Sequence, residues 1–271
     1  MEGLILEDLR HYLNSQYEDI FDQESIEAHI RDYVGYTFAD QMSQAVASQI
    51  PYGANLLDIG SGFGAFVISA NRLGLNAVGL ELASYDIKYA RRRLYQDLPE
   101  NKCNLFNQGD GCHLPFLDGV FDAVTLWNVL EHIFDVEMVL SEAKRVLKPG
   151  GLLFIICPNY LAFRHEAHYQ VFWPSLLPRK LAVLYLRVLG KNPAYFETSI
   201  FYRTNLEIIS ILKKENMIIR NLGSDIERPI IDFSSLILKI SRPEEIKSPL
   251  FRLILNRSEE RRVGKECRSR W

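Results

Sequence analysis

Leu56-Leu57-Asp58-Ile59-Gly60-Ser61-Gly62-Phe63-Gly64 decides how this chain is read. An apolar run beginning at Asn55 ends in a carboxylate, and three glycines at alternate positions follow. A helical pattern then runs over Ala65–Leu73. The run predicts a buried strand, and the glycines predict a tight turn into a helix. Glycine permits positive backbone φ, and its missing Cβ lets a ligand lie against the main chain. This is the loop of a nucleotide-type cofactor site, and the residues around it must say which cofactor.

Strands and helices alternate outward from that loop. Asn76–Leu82 is a second short strand, and Ser84–Leu98 a helix with Ile87, Ala90 and Leu94 on one face. Cys103–Gln108 is a weaker strand ending at Gly109-Asp110, and Phe121–Trp127 a strong one. Asp135 can cap a helix whose Val136, Val139, Leu140, Ala143, Val146 and Leu147 form one apolar stripe. Lys148-Pro149-Gly150-Gly151 stops it and turns the chain into the apolar strand Leu152–Cys157. This alternation predicts a parallel α/β sheet covered on both faces.

The expected organisation is a helical, polar segment over 1–50, a cofactor-binding core over 51–159, and an aromatic- and Pro-rich insertion over 160–203 with a helical patch at Arg179–Leu189. The core resumes over 204–256. Thr204 and Glu207 have capping-box spacing there, a helix runs through Lys214, and Met217–Leu222 is a strand. Residues 225–256 are ambiguous. Residues 257–271 resemble the in-frame translation of a sequencing-library adapter and are set aside.

That tail holds six of the 31 Lys and Arg and three of the 34 Asp and Glu. Residues 1–256 then carry 25 basic and 31 acidic side chains, net −6, which makes no electrostatic case for nucleic acid. Cys103, Cys112 and Cys157 remain, an odd and sparse set without CxxC spacing. This argues against a disulfide framework or a zinc site, and it fits a reducing compartment. Glu2, Glu7 and Asp8 stand where a secretory leader carries basic residues, and no apolar run approaches the ~20 residues of a membrane-spanning helix. The expectation is a cytoplasmic protein.

Two ligands compete for the glycine loop. Gly60, Gly62 and Ala65 fit the loose dinucleotide fingerprint, with Glu81 where a ribose carboxylate belongs. Asp58, however, is unhelpful beside a pyrophosphate and helpful beside an ammonium or sulfonium. Glu81 can accept from both ribose hydroxyls, and Asp110 can accept from an adenine amine on the same sheet edge.

Leu57–Gly64, Gly79-Leu80-Glu81, Gly109-Asp110-Gly111 with Leu114-Pro115-Phe116, Phe121-Asp122, Asn128–His132 and Leu147–Gly151 follow one another across roughly residues 50–159. In content, order and spacing they resemble the class I S-adenosylmethionine-dependent methyltransferases, particularly the type 11 group that includes quinone-biosynthesis enzymes. The resemblance implies a Rossmann-like, mostly parallel seven-stranded sheet with helices on both faces, and S-adenosylmethionine as cofactor. It implies that Asp58, Gly60, Ser61, Gly62 and Gly64 hold the methionine part, Glu81 the ribose, Leu82 and Asp110 the adenine with the Gly111 backbone nearby. Asn128 would pass close to the methionine moiety.

Methyl transfer is a direct displacement, so the protein mainly aligns the reactants, and a hydroxyl nucleophile also gains from a general base. His132 is a candidate base because the family places Glu131-His132 near the pocket; alternatively the pair shapes the turn into the Asp135 helix. His165 and His168, flanking Glu166, are the second candidates, with a hydrogen-bonded loop pair as the alternative. No metal site is expected. The aromatics of 160–203 suggest a cover over a small-molecule or lipid-linked acceptor, with weak membrane-surface contact through 179–191 or plain packing on the core. The expected activity is methyl transfer, at oxygen by family analogy. The alternatives are a nicotinamide-dependent oxidoreductase and a catalytically inactive methyltransferase-like binding module. The family's last antiparallel strand has no confident counterpart here. Leu250–Leu255 could serve, or the true strand could be missing.

Overall fold

In the computed structural model, the structure describes residues 2–17, 20, 21, 23, 26, 27, 30, 35–100, 103–161, 165, 166, 168–221 and 235–241. Of these, the side chains of 2–6, 165, 220, 221 and 235–241 are not described. After α1 (Glu2–Tyr17) and α2 (Thr37–Ala47) the chain alternates: β1 (Asn55–Ile59), α3 (Ala65–Arg72), β2 (Asn76–Glu81), α4 (Ser84–Asp97), β3 (Phe106–Gln108), β4 (Phe121–Trp127), α5 (Val136–Val146) and β5 (Leu147–Pro158). A short hairpin of β6 (His165–Glu166) and β7 (Val171–Phe172) follows. Then come α6 (Arg179–Val188), α7 (Ala194–Ser199), α8 (Asn205–Lys214), β8 (Ile218–Asn221) and β9 (Ser235–Ser241).

Seven strands pair in the order β3-β2-β1-β4-β5-β9-β8. The first five are parallel, and β9 runs antiparallel to both β5 and β8. The sheet is covered on both faces because its strands are apolar on both. Leu57, Ile59, Leu153 and Ile155 pack with Val139, Leu140 and Ala143 of α5 and with Ile208 and Ile211 of α8. Leu56, Phe154 and Ile156 pack on the opposite face with Met42 and Val46 of α2, Phe66 and Val67 of α3, and Ile87 and Leu94 of α4. Each such buried side chain contributes roughly 1.5–3 kcal/mol.

The expected helix signals act as read. The Asp135 carboxylate accepts the Met138 N–H at 3.0 Å, and Val136, Val139, Leu140, Ala143 and Val146 are all buried. Thr204 accepts the Glu207 N–H at 3.2 Å. Glu207 binds Arg203 at 2.8 Å, so this cap is one bond rather than the reciprocal box.

Two expectations are corrected. Lys148–Gly151 does not interrupt the chain before a strand at Leu152. β5 already begins at Leu147 opposite Phe121, and the register shifts before Ala123 meets Leu152. The glycines are thus accommodated in a bulge within the ladder. The antiparallel strand is present, formed by Ser235–Ser241, whose Leu236, Ile237 and Leu238 lie opposite Cys157, Ile156 and Ile155. It is neither missing nor Leu250–Leu255; that segment and 257–271 lie outside the described residues.

Two further packing units stand on this core. Tyr169, Trp173, Ala182, Leu186, Phe196 and Ile200 bury one another in the insertion. Leu9, Leu13, Ile26 and Ile30 of the N-terminal segment pack with Phe63 of the glycine loop and Tyr89 of α4. No helix among the described residues is long and apolar enough to cross a membrane.

Gly64 sets how closely α3 approaches β3. Its φ is 82°, and a Cβ there would fall 2.5 Å from Phe106 Cζ and 3.1 Å from Ala90 Cβ. Gly64→Ala is expected to destabilise the fold by about 2 kcal/mol, read from urea unfolding midpoints. An unchanged midpoint would contradict this account of the loop.

Candidate active site

The carboxyl ends of β1, β2 and β4 converge where β1 turns into α3. Asp58 pairs in register with Gly79 of β2 and Thr125 of β4, which puts its side chain on the same face of the sheet as that of Thr125. It is 2% exposed. It accepts a hydrogen bond from the Thr125 hydroxyl at 2.7 Å. Burial pushes the Asp58 carboxyl up to about 8; the Thr125 bond works against this and the Glu81 charge adds to it. A buried carboxylate of this kind is an electrostatic demand for a cation.

Glu81, at the end of β2, braces the loop. One of its oxygens accepts the Gly62 N–H at 3.0 Å, and the other accepts Leu82 N–H at 2.8 Å and Ala83 N–H at 3.0 Å. The glycines divide their labour. A Cβ on Gly60 would fall 2.5 Å from Val129 Cγ2, so that glycine lets two loops meet. A Cβ on Gly62 would meet nothing within 4 Å, so the space beside it is open to a ligand. The Ser61 hydroxyl is buried and has no hydrogen-bond partner among the described residues. Leu82 is 68% exposed beside Glu81. Asp110 follows β3 and accepts the Cys112 N–H at 2.8 Å, with half-buried Gly111 between them. Asn128 has φ 53° and donates its N–H to the Ile156 carbonyl at 2.7 Å, which turns the chain sharply at the end of β4. Every expected cofactor residue therefore lies on one sheet edge or on the loops leaving it.

The 3-10 turn Leu130–His132 carries the chain from Asn128 to a second cluster. His132 and His168, read separately in the sequence, stand with ring centroids 5.4 Å apart. His132 Nδ1 is 2.8 Å from the Ser199 carbonyl, and His168 Nδ1 is 2.7 Å from Glu166. Carbonyl and carboxylate oxygens only accept, so both Nδ1 atoms carry hydrogen and both Nε2 atoms are left for other partners. Burial and the neighbouring His168 lower His132 to about 4, so it is neutral at pH 7. Burial lowers His168 too, but the bond and charge of Glu166 outweigh it and the net shift is upward. Glu166 is 1% exposed and also accepts from Tyr202 and the Tyr169 N–H. Beside this pair Glu131 is 3% exposed, and its Oε2 has no partner among the described residues. Burial raises its carboxyl to about 7.

His165 pairs its backbone with Phe172, but its side chain lies outside the described part of the structure. Sequence reading missed Thr125, whose only signal was a lone hydroxyl in an apolar strand. It also missed Glu166 as a partner of His168, and Tyr195, which lies 5.6 Å from His168 and 6.2 Å from His132 between ring centroids. Tyr17 and Phe21 close the far side. Both contact Tyr195, and both belong to the cluster that contains Phe63. Aromatic contacts thus link the insertion to the N-terminal segment, to Phe63 of the glycine loop and to His132 after the Asn128 turn. Among the described residues, no group of three or more His, Cys, Asp or Glu is placed to hold a metal ion.

Residues 57–155 match the family described as methyltransferase domain. The chain is 32% identical over 148 residues to demethylmenaquinone methyltransferase of Tropheryma whipplei, covering 54% of this chain and 56% of that one. It is 34% identical over 116 residues to the mitochondrial ubiquinone biosynthesis O-methyltransferase of Rattus norvegicus, covering 40% and 31%. The chain thus spans about half or less of these relatives' length. Among solved structures, a putative methyltransferase from Bacillus halodurans superposes with TM-score 0.54 at 16% identity, over 77% of this chain and all of that one. Magnesium protoporphyrin IX methyltransferase from Synechocystis, solved with bound SAH, superposes with TM-score 0.53 at 17% identity, over 76% and 83%. That family match covers 99 of the 271 residues, and the sheet that contains them has the fold of these solved methyltransferases.

The raised Asp58 carboxyl has a consequence for the ligand-free fold. The folded state holds this proton over a range where the unfolded state has lost it. The stability contributed is present below about 4 and is lost as pH rises to about 8. Asp58→Asn is expected to raise the melting temperature at pH 8 by ~3 °C or more and to leave it little changed at pH 4. An equal shift at both pH values would contradict the assignment.

Proposed function

We propose that this chain transfers a methyl group from S-adenosylmethionine to a small-molecule or lipid-like acceptor, at oxygen. The observation that carries the reading is Asp58, a buried carboxylate at the carboxyl edge with an open glycine loop on one side and Glu81 on the other. The residues fit such a cofactor. Asp58 and the Ser61 hydroxyl suit its cationic methionine end, Glu81 its ribose, and Leu82 with Asp110 its adenine. A nicotinamide dinucleotide would bring a pyrophosphate, which gains nothing from Asp58. When bound, S-adenosylmethionine supplies an activated methyl group together with its own leaving group.

The remaining work falls to alignment and to one proton. In this reading the aromatic ring of Tyr17, Phe21, Tyr195 and Phe63 excludes water and orients the acceptor. His168 accepts from the substrate hydroxyl on Nε2 and takes its proton there as the oxygen attacks the methyl group, its basicity raised by Glu166. His132, held neutral by burial, packs its ring against His168 without setting a second charge beside it. A carbon or nitrogen acceptor has less need of such a pair, which is why oxygen is preferred. Relatives named as quinone and ubiquinone methyltransferases support an acceptor of the phenol or quinol class.

Calorimetry with S-adenosylhomocysteine and with NADH tests the cofactor; binding of the first and not the second is expected. Asp58→Ala is expected to weaken that binding at least about tenfold. A preference for NADH, or unchanged binding by the variant, would overturn the reading. A second test concerns the proton, with a phenolic acceptor as substrate. The acid limb of kcat/KM reports loss of the His168 proton, so Glu166→Gln is expected to move that limb to lower pH while lowering kcat. An unchanged profile in Glu166→Gln and His168→Gln would leave the pair a structural one.

A further inference from the structure

The insertion turns one face toward His168 and another toward solvent, and the outer face is not what a solvent-facing helix surface requires. On α6, Ala182 and Leu186 are buried against Trp173 and Phe196. Leu181, Leu184 and Val188, spaced to share one stripe, are 53%, 57% and 76% exposed. The Tyr185 hydroxyl donates to the Phe172 carbonyl at 2.7 Å, which fastens the β6–β7 hairpin alongside this helix. Phe172 is itself 58% exposed. Between hairpin and helix, Leu176 is held at φ 57°, a costly conformation for leucine, with its side chain also exposed. Apolar groups so presented on one subdomain mark a contact surface rather than scattered exposure.

The charge around the stripe selects the occupant. Lys180 and Arg187, two turns apart, lie along one edge of it and are exposed. Arg179 is exposed as well, but its guanidinium is engaged by the Phe196, Glu197 and Ile200 carbonyls. The sole acidic residue from Arg164 to Lys191 is Glu166, which is buried. A second copy meeting this face about a two-fold axis would set Lys180 and Arg187 against like charges, with Glu197 of α7 the one exposed acid of the insertion. A bilayer surface carrying anionic lipid satisfies both halves of the pattern. Leucines and valine enter the acyl boundary, while Lys180 and Arg187 reach back to the head groups.

We infer that α6, with Phe172 and Leu176, seats the protein on an anionic membrane surface, on the outer side of the subdomain whose inner residues carry Glu166 and His168. The binding itself is independent of the methyltransferase reading. That reading adds only that a lipid-like acceptor would reach the site from the bilayer.

The test is co-sedimentation of the full chain with vesicles of phosphatidylcholine alone and of phosphatidylcholine with phosphatidylglycerol, at low and high salt. Binding to the anionic vesicles is expected, weaker on the order of tenfold without phosphatidylglycerol and reduced by salt. The double exchange Leu184→Gln with Val188→Gln removes exposed groups, so it is expected to keep the melting temperature and S-adenosylhomocysteine binding while weakening vesicle binding by about tenfold. Lys180→Glu with Arg187→Glu is expected to abolish the preference for anionic vesicles. No binding to either vesicle, or binding indifferent to both double exchanges, would overturn the proposal. So would a dimer in solution that the Leu184→Gln, Val188→Gln variant dissociates without any vesicle binding. None of these failures touches the cofactor calorimetry, so the two readings fail separately.

Discussion

Ionising a carboxyl group that is 2% exposed, with the Thr125 hydroxyl donating to it, carries a large electrostatic cost. The surroundings of Asp58 make sense as the means of imposing that cost and of relieving it when a ligand binds. The ladder fixes its neighbours as Gly79 and Thr125, and the Thr125 hydroxyl holds the side chain in its buried position. Glu81 raises the cost further through its charge, while its own oxygens tie down Gly62, Leu82 and Ala83. In the proposed function, a cation arriving beside the glycine loop offsets the cost of ionising Asp58. A neutral or anionic ligand does not.

The same economy of means governs the second cluster. Burial drives His132 to its neutral form, and Glu166 raises His168. Two imidazoles with centroids 5.4 Å apart are therefore shifted in opposite directions, His132 down and His168 up. The insertion's aromatic core holds them together, since Glu166 is bound by Tyr202 and lies beside Tyr169 in sequence. The N-terminal segment completes the enclosure through Phe63 and Tyr195. The enclosing segments are thus separate in sequence from the strands that hold the cofactor edge.

How far the sequence could be read follows from the range of each interaction. The glycine loop, the Asp135 cap and the alternation through β5 are set by residues adjacent in the chain, and they were legible. The seventh strand was not. Ser235–Ser241 is a strand because Leu152–Pro158 lies open beside it, and nothing in its own composition separates it from the equally apolar Leu250–Leu255. The bulge at Lys148–Gly151 was read as a stop because a Pro-Gly-Gly run carries the same local signal in a turn and in a bulged ladder. His132 and His168 were each legible as candidates, but their meeting was not, since the turn after β4 and the insertion are joined only by tertiary packing. Glu166 was legible as a charge between histidines, not as the buried partner that sets one of them.

In the proposed function, Asp58 holds a proton in the free protein and releases it to solvent when a cationic ligand binds. Titration calorimetry of S-adenosylmethionine at pH 7, repeated in buffers of different ionisation enthalpy, counts the protons released. With the carboxyl raised to about 8, the account predicts release approaching one proton per molecule bound and an affinity that climbs until pH passes that value. Release that vanishes in Asp58→Asn assigns the proton to this carboxylate. Binding that releases no proton, with an affinity flat across the same range, would contradict it.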